Sequence, residues 1–123
     1  MPRPSEHRPA DRPLGDAEAD ELADALRAFG AASRLKLLFA LMDGERSVEA
    51  LSARTGLTES GCSQQLRVLR QAQLVAVRRS GRHAFYRLYD HHVPGLLSAL
   101  RHHREHVATA SGHTADRTTG APA

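Results

Sequence analysis

Residues 47–82 have the sequence SVEALSARTGLTESGCSQQLRVLRQAQLVAVRRSGR, which gives the strongest indication of the fold class. Ser47 and Thr58 carry side-chain oxygens of the kind that cap helix N-termini, so they predict a short helix and a second helix that runs to about Gln71. Gly56 lies between them, where glycine permits a tight turn. These are the third and fourth helices expected along the chain.

A basic hairpin is predicted directly after these helices. Residues 74–77 and 84–88 are predicted strands, and they flank a polar loop, residues 78–82, that contains Gly81. Helix, glycine turn, helix and hairpin follow the order of a winged helix-turn-helix, in which the second helix of the pair enters the major groove of DNA. The predicted fold class is mainly α with a small β-hairpin.

Further helices are predicted on both sides of this segment. Asp16 and Ser33 are expected to cap the first and second helices, and a fifth helix is expected over residues 93–107. The predicted apolar positions are Leu22, Ala25, Leu26 and Phe29 in the first helix, Leu35, Leu38, Leu41 and Met42 in the second, and Leu96, Leu97 and Leu100 in the fifth. Residues 16–107 are thus the predicted domain, between a flexible arm (1–15) and a flexible tail (108–123).

The composition fits one small domain with an anionic partner. The chain has 123 residues, of which 41% are hydrophobic but only 4% aromatic, so we expect a core of Leu, Val and Ala. Its net charge of +3 is carried mostly by arginine, which makes nucleic acid the first partner to consider. Composition alone fits a solvated basic surface equally well, so the positions of the arginines have to decide. The single cysteine, Cys62, excludes an intramolecular disulfide and fits a cytoplasmic location. No segment predicts a signal peptide or a membrane span.

The fourth helix has one apolar and one polar face. Cys62, Leu66 and Leu69 recur at helical spacing and are expected to face the core. The opposite face is polar and almost free of acidic residues, and it carries Ser60, Ser63, Gln64, Arg67 and Gln71. Glutamine pairs with adenine, and arginine pairs with guanine or phosphate, so this face is suited to DNA.

The hairpin adds further positive charge next to this helix. Arg78, Arg79 and Arg82 lie together at its predicted tip, where long cations reach phosphates or a narrow minor groove. With Arg70 of the fourth helix, they complete the set of predicted DNA-binding residues. A basic turn is often simply solvated, and the DNA role is favoured here because the hairpin follows the candidate recognition helix.

Five of the eight histidines lie between residues 91 and 106, and Asp90 precedes them. Imidazole and carboxylate together form a ligand set for zinc, nickel or cobalt. His103 and His106 are three residues apart on a helix and can hold one ion, and Asp90 and His92 can hold another at the helix start. The segment 102–106 also matches the H-x-x-E-H pattern of some zinc proteases, but no further ligand or substrate cleft is evident, so we expect no enzyme.

The spacing of the two pairs requires a second chain if they share a metal. Residues 92 and 103 are about 16 Å apart along one helix at ~1.5 Å per residue, whereas four ligands lie about 2 Å from one zinc ion. Eleven residues return nearly to the same helical face, so an antiparallel copy of the helix would bring Asp90 and His92 of one chain to His103 and His106 of the other. We therefore predict a homodimer with two identical sites between subunits.

The sequence resembles the ArsR/SmtB family of metal-responsive winged-helix repressors over roughly residues 20–107. The resemblance rests on Ser33-Arg34-Leu35, on residues 63–70 (SQQLRVLR), and on Gly81-Arg82 with residues 86–90 (YRLYD). It implies dimerisation through the first and last helices, and in sensors of the last-helix type an Asp-x-His pair with a His-x-x-His pair eleven residues on. Asp90, His92, His103 and His106 match that spacing.

The resemblance also implies a mechanism. The metal-free dimer binds its operator, and metal binding shifts the dimer to a form with lower DNA affinity. In similar sensors the non-ligating nitrogen of the histidine that matches His103 bonds a backbone carbonyl of the recognition helix, here near Gln64. By linkage, operator binding weakens metal binding equally.

The chain departs from the family pattern at a few positions. Gln64 replaces a common histidine, Gly61 replaces a better helix former, and no cysteine pair is present in the second helix, which disfavours the thiolate class of sensors. Zinc fits four ligands, whereas similar nickel and cobalt sensors recruit terminal histidines, for which His7 and His113 are available. The alternative is a winged-helix regulator that answers to another signal or partner and does not use its histidines for sensing.

Overall fold

The computed structural model describes the backbone of residues 12–119 and the side chains of residues 12–110. Within that part the chain forms five helices and three strands. They are α1 (Asp16–Arg27), α2 (Ala32–Ala40), β1 (Arg46–Ser47), α3 (Val48–Thr55), α4 (Glu59–Gln71), β2 (Val75–Ser80), β3 (His83–Leu88) and α5 (His92–Thr119). The predicted mainly α architecture with a small hairpin is confirmed.

The turn between α3 and α4 is built by the residues that predicted it. The Ser47 hydroxyl accepts from the amide of Ala50 at 3.1 Å, and the Thr58 hydroxyl accepts from the amide of Gly61 at 2.9 Å. Each bond satisfies one amide that lacks a partner at a helix start. Gly56 ends α3 with φ of 80°, a left-handed conformation that favours glycine. These two helices therefore begin and end where the sequence predicts.

The predicted caps of the first two helices are wrong by one or two residues. Gly15 and Ala31 are the N-cap residues of α1 and α2, and neither provides a side-chain cap. Asp16 instead lies in the first turn of α1, where a carboxylate is favourable near the positive end of the helix dipole. Ser33 is the second residue of α2, because Ala32, a strong helix former, already has a helical conformation.

The hairpin is longer than predicted and belongs to a three-stranded antiparallel sheet of order β1-β3-β2. Its register runs from Val75 opposite Leu88 to Ser80 opposite His83, so Arg78 and Arg79 lie in a strand and not in a loop. Backbone pairing continues through polar residues when they are exposed at an edge strand. Two-residue β1 was not predicted, since so short a strand has no alternation in its sequence.

One apolar core joins α2, α3, α4, the sheet and the start of α5. Leu37, Leu38, Leu51, Leu66, Leu69, Val93 and Leu97 are fully buried in it, together with Cys62 and Val75. The core is made of aliphatic side chains, as the low aromatic content predicts. It fixes α4 against α2 and α3 and places the hairpin next to the end of α4.

The first and last helices contribute much less to this core. No residue of α1 is buried, and two of its predicted apolar positions, Leu22 and Leu26, are 47% and 66% exposed. In α5, Leu97 is buried, but Leu96 and Leu100 remain 48% and 44% exposed. The apolar stripes of these helices therefore extend beyond what a single chain covers.

The last helix is also longer than predicted. It begins at His92 and continues to Thr119, where the sequence analysis placed a flexible tail from residue 108. Apolar periodicity reports that a helix buries one face, and it does not report whether a solvated segment is helical. Residues 1–11 of the predicted arm and residues 120–123 lie outside the described residues. None of the helices described here is long and apolar enough to cross a membrane.

Candidate nucleic-acid interface and metal-binding residues

Helix α4 is held in place by its apolar face. Cys62, Leu66 and Leu69 are all completely buried, as predicted from their spacing. Burial raises the pKa of the Cys62 thiol, which keeps it protonated and unreactive. A helix anchored along three successive turns presents its other face to solvent in a fixed orientation.

The outer face of α4 is exposed and polar. Every residue of this helix that was predicted to bind DNA is solvent exposed: Ser60, Ser63, Gln64, Arg67 and Arg70. Thr58 starts the helix and Gly61 follows in its first turn, with its Cβ position only 3.0 Å from the Thr58 hydroxyl. A side chain at residue 61 would therefore press on the cap, which gives this glycine a packing role.

A polar cleft of about 490 Å³ separates α4 from the hairpin. Six residues line it: Ser63, Arg67, Arg70, Gln71, Arg79 and Tyr86. Within the described part of the chain, none of the three arginines in this set takes part in an ion pair. Three guanidinium groups without a carboxylate partner attract an anion, and a phosphodiester is the anion that arginine recognises by two parallel hydrogen bonds.

The two neighbouring arginines of β2 face opposite sides of the sheet. Arg79 lines the cleft, whereas Arg78 donates two bonds to the Glu45 carboxylate at 2.8 and 3.2 Å and lies 4.8 Å above the Phe85 ring. The hydrogen bond to Arg78 lowers the pKa of Glu45 and raises the pKa of Arg78. Arg78 and Arg79 were predicted to bind DNA together at the hairpin tip, but in the strand their side chains lie on opposite faces of the sheet. Arg82 is exposed in the turn after Gly81, whose φ is 63°.

Asp90 and His92 lie together at the start of α5. The Asp90 carboxylate accepts from the backbone amide of His92 at 3.1 Å, and the same oxygen lies 2.5 Å from Nδ1 of His92. An aspartate that accepts from an amide two residues on stabilises the helix start. The pair thus combines a capping role with an oxygen and an imidazole nitrogen of the type that binds zinc, nickel or cobalt.

His103 and His106 are both exposed, farther along the same helix. Within the described residues of one chain, no group of three or more His, Cys, Asp or Glu side chains is close enough to hold a metal ion. One protomer therefore offers two separate pairs, as the rise of a helix requires. His7 and the side chain of His113, which are available as terminal ligands if the site takes nickel or cobalt, lie outside the described residues.

Tyr86 and Glu45 were not predicted from the sequence as site residues. Tyr86 is opposite Val77 in the sheet and is partly buried against the core, with access to the cleft. Its position follows from the alternation of β3, in which residues 84, 86 and 88 share a face. The partnership of Glu45 with Arg78 joins residues 33 positions apart, and no local pattern indicates it.

The fold and the basic cleft define a winged helix-turn-helix DNA-binding protein. The family model described as "Bacterial regulatory protein, arsR family" matches residues 32–77. The HTH-type transcriptional regulator NmtR of Mycobacterium tuberculosis is 41% identical over 95 residues, which span 77% of this chain and 79% of that protein. A transcriptional repressor SmtB homolog of Synechocystis is 40% identical over 86 residues, or 70% of this chain and 65% of the relative.

Solved structures support the same assignment. The homodimeric winged helix-turn-helix DNA-binding domain of Mb0332 from Mycobacterium bovis, a possible ArsR-family regulator, is similar with a TM-score of 0.69 and 31% identity. The match covers 78% of this chain and 93% of that domain. The chain belongs to the ArsR family. Like the relatives that it matches, the protein is a transcriptional regulator. It is not an enzyme.

Proposed function

We propose that this regulator is a cytoplasmic homodimer that represses transcription from operator DNA and releases that DNA when zinc, nickel or cobalt binds between its subunits. The DNA-binding part rests on the cleft between α4 and the hairpin. This cleft collects three arginines that form no ion pair with any described residue, next to the exposed polar face of a helix. The metal-binding part rests on Asp90, His92, His103 and His106.

In this proposal α4 is the recognition helix. Ser60, Ser63 and Gln64 contact base edges, since hydroxyl and amide groups form the hydrogen bonds that distinguish bases in the major groove. Arg67, Arg70 and Arg79 bind backbone phosphates, which set the position of the helix and make the affinity depend on salt. Arg82 extends from the hairpin turn towards the adjacent minor groove. Arg78 contributes less, because Glu45 already neutralises it.

The proposed dimer forms through α1 and α5. Leu22, Leu26, Leu96 and Leu100 expose apolar surface on these two helices, which a second copy would cover. The similar domain of Mb0332 is homodimeric, which supports a dimer of this chain. Two copies related by a twofold axis would present two recognition helices to two halves of a palindromic operator.

The proposed metal site needs this dimer. Asp90 and His92 of one protomer would join His103 and His106 of the other, which gives one oxygen and three nitrogen ligands. Asp90 and His92 fit such a role, because they are already in contact before any ion binds. When bound, the ion supplies a bond between two subunits that is absent without it. As the resemblance to ArsR/SmtB sensors implies, His103 would connect this site to the backbone of α4 near Gln64.

A titration tests the proposal directly. Zinc, nickel and cobalt are added separately to a complex of the full chain with operator DNA at fixed salt, and DNA affinity is measured by fluorescence anisotropy. We expect at least one metal to lower the affinity by about 5–150-fold, the usual range of such coupling. Unchanged affinity with every metal would contradict metal sensing while leaving DNA binding intact. That result would favour the second candidate, a regulator that responds to another signal.

A variant tests the coupling route. His103→Ala should abolish both metal binding at this site and the metal-dependent loss of DNA affinity, and His102→Ala is the matched control on the same exposed helix surface. Isothermal titration measures the metal, and anisotropy measures the DNA. A His103→Ala protein that binds metal and releases DNA normally would show that the coupling does not pass through this histidine.

A further inference from the structure

Arg34 joins three elements of the fold. It lies in the first turn of α2 and is partly buried. Its Nε and Nη2 atoms donate to the carbonyls of Ala28 and Arg27 at 2.8 and 2.9 Å, and its Nη1 donates to the side-chain carbonyl of Gln65 at 2.9 Å. Arg34 therefore contacts the C-terminal end of α1 on one side and the recognition helix α4 on the other.

These bonds matter because α1 has few other attachments to its own protomer. No residue of α1 is buried, and Ala28 directly after it is the first residue of that region in the core. The carbonyls that Arg34 binds are at the negative end of the α1 dipole, where a cation is favourable. Arg34 thus fixes the end of α1 with a charged hydrogen-bond donor where packing is weak.

Gln65 completes the connection to the DNA-binding face. It lies on α4 between Gln64, which is exposed to solvent, and Leu66, which is buried. A shift of α1 relative to α4 would break the bond to Gln65 or the bonds to the carbonyls. The planar guanidinium donates to α1 and to α4 at the same time, in a fixed geometry that the ammonium of a lysine on its flexible stem does not reproduce.

We propose that Arg34 is a positioning residue that sets the angle and distance of the recognition helix relative to the dimer interface. The inference rests on the proposed function, in which α1 belongs to the interface and α4 reads the operator. Half-sites on DNA are about 34–36 Å apart, one helical turn, so two recognition helices must be held at a matching separation. Loss of the Arg34 contacts therefore weakens binding to two correctly spaced half-sites more than binding to one half-site.

The test compares two kinds of DNA. Duplexes with two half-sites are selected from a random library by the wild-type full chain, and a matched duplex has one half-site scrambled. Affinities are measured by anisotropy at fixed salt without metal for Arg34→Lys and Gln65→Met. We expect each variant to lose about tenfold on the two-site duplex, the scale of one charge-assisted hydrogen bond, and less than twofold on the one-site duplex.

Gln65→Glu serves as the matched control, because a carboxylate still accepts from Arg34. This variant should keep the wild-type ratio between the two duplexes, even if its added negative charge weakens both. Gln65→Met conserves side-chain volume, so its result stands if Arg34→Lys is poorly folded by circular dichroism. Each variant should also tolerate a one-base-pair insertion between the half-sites better than the wild type does.

Equal loss on both duplexes, or no loss on either, would overturn the positioning role and leave the proposed function in place. A wild-type protein that selects no duplex would overturn the proposed function and this inference with it. The two failures are distinguished by the wild-type protein alone.

Discussion

Helix α4 and the last helix α5 are both amphipathic, but only the apolar face of α4 is covered by residues of its own chain. Its apolar residues Cys62, Leu66 and Leu69 are fully buried, and its polar residues face solvent. Helix α5 buries Val93 and Leu97 but leaves Leu96 and Leu100 nearly half exposed. The difference shows that α4 buries its apolar face within one protomer, whereas α5 keeps apolar surface exposed, and this is the surface assigned to the proposed dimer.

The same difference separates the two sets of functional residues. The cleft residues Arg67, Arg70 and Arg79 come together within one protomer. The candidate metal-binding residues are Asp90 and His92, which contact each other at the start of α5, and His103 and His106, which lie farther along that helix. Arg67, Arg70 and Arg79 can thus be tested on the surface of one protomer, whereas the proposed metal site would draw its ligands from two protomers.

The largest expected effect comes from the buried side of α4. Leu66→Ala should lower the free energy of unfolding by about 2–5 kcal/mol, because it removes apolar contacts and leaves a cavity. Urea denaturation measures the change, and Val68→Ala on the exposed side of the same helix is the control. A loss below about 1 kcal/mol for Leu66→Ala would mean that the core relaxes into the cavity.

A charge among the exposed apolar residues of α5 should weaken the proposed dimer. Leu100→Glu places a carboxylate in the proposed interface, where burial without a partner is unfavourable, so the dimer dissociation constant should rise on the order of a hundredfold. Sedimentation equilibrium measures it. Val68→Glu alters a similarly exposed apolar residue on α4 and should leave the dimer intact. If both variants remained dimeric, the interface would lie elsewhere.

The two arginines of β2 provide a smaller and sharper comparison within the DNA-binding surface. Arg79→Gln should reduce DNA affinity and lower the slope of log affinity against log salt by about 1, as expected for one lost phosphate contact. Arg78→Gln removes the same charge from a residue that Glu45 already pairs, so its slope should change by less than half as much. Equal slopes for the two variants would contradict the assignment of Arg79 to the cleft.

The smallest expected effect is a pH response of the Glu45 and Arg78 pair. The pKa of Glu45 lies below its usual value of 4.5 in the folded protein, because Arg78 donates to its carboxylate. Its stabilising contribution is therefore complete above pH 4.5 and is lost as the pH falls through the lower folded value. A carboxyl NMR titration measures the shift. Arg78→Gln should return the pKa of Glu45 towards normal, and an unchanged value would show another cause.

Local chemistry explains which predictions from sequence succeeded. Ser47, Gly56 and Thr58 act on neighbouring backbone groups, so their roles follow from the order of residues. The buried stripe of α4 was equally predictable, because its period is that of a helix. Side-chain alternation would also have shown that Arg78 and Arg79 face opposite sides, but their polarity led to a predicted loop.

Features that depend on distant residues were not predictable. Glu45 with Arg78 and Arg34 with Gln65 join residues 33 and 31 positions apart, and β1 exists only because β3 lies beside it. The predictions that Asp16 and Ser33 cap their helices were wrong for a different reason. A residue type that caps a helix also occurs inside the first turn, so its identity does not give the exact start of the helix. The helical state of residues 108–119 has no apolar signature that would have indicated it.

The amino-acid order alone predicts the winged helix-turn-helix sequence of elements, the two faces of α4 and the metal-type residues at 90, 92, 103 and 106. These features depend on the spacing of residues along a helix or strand, and that spacing can be read directly from the sequence. The folded chain adds that Arg79 enters the cleft while Arg78 turns to Glu45, and that Arg34 links α1 to α4. These contacts depend on how elements pack against one another, and packing brings together residues that the linear order keeps apart.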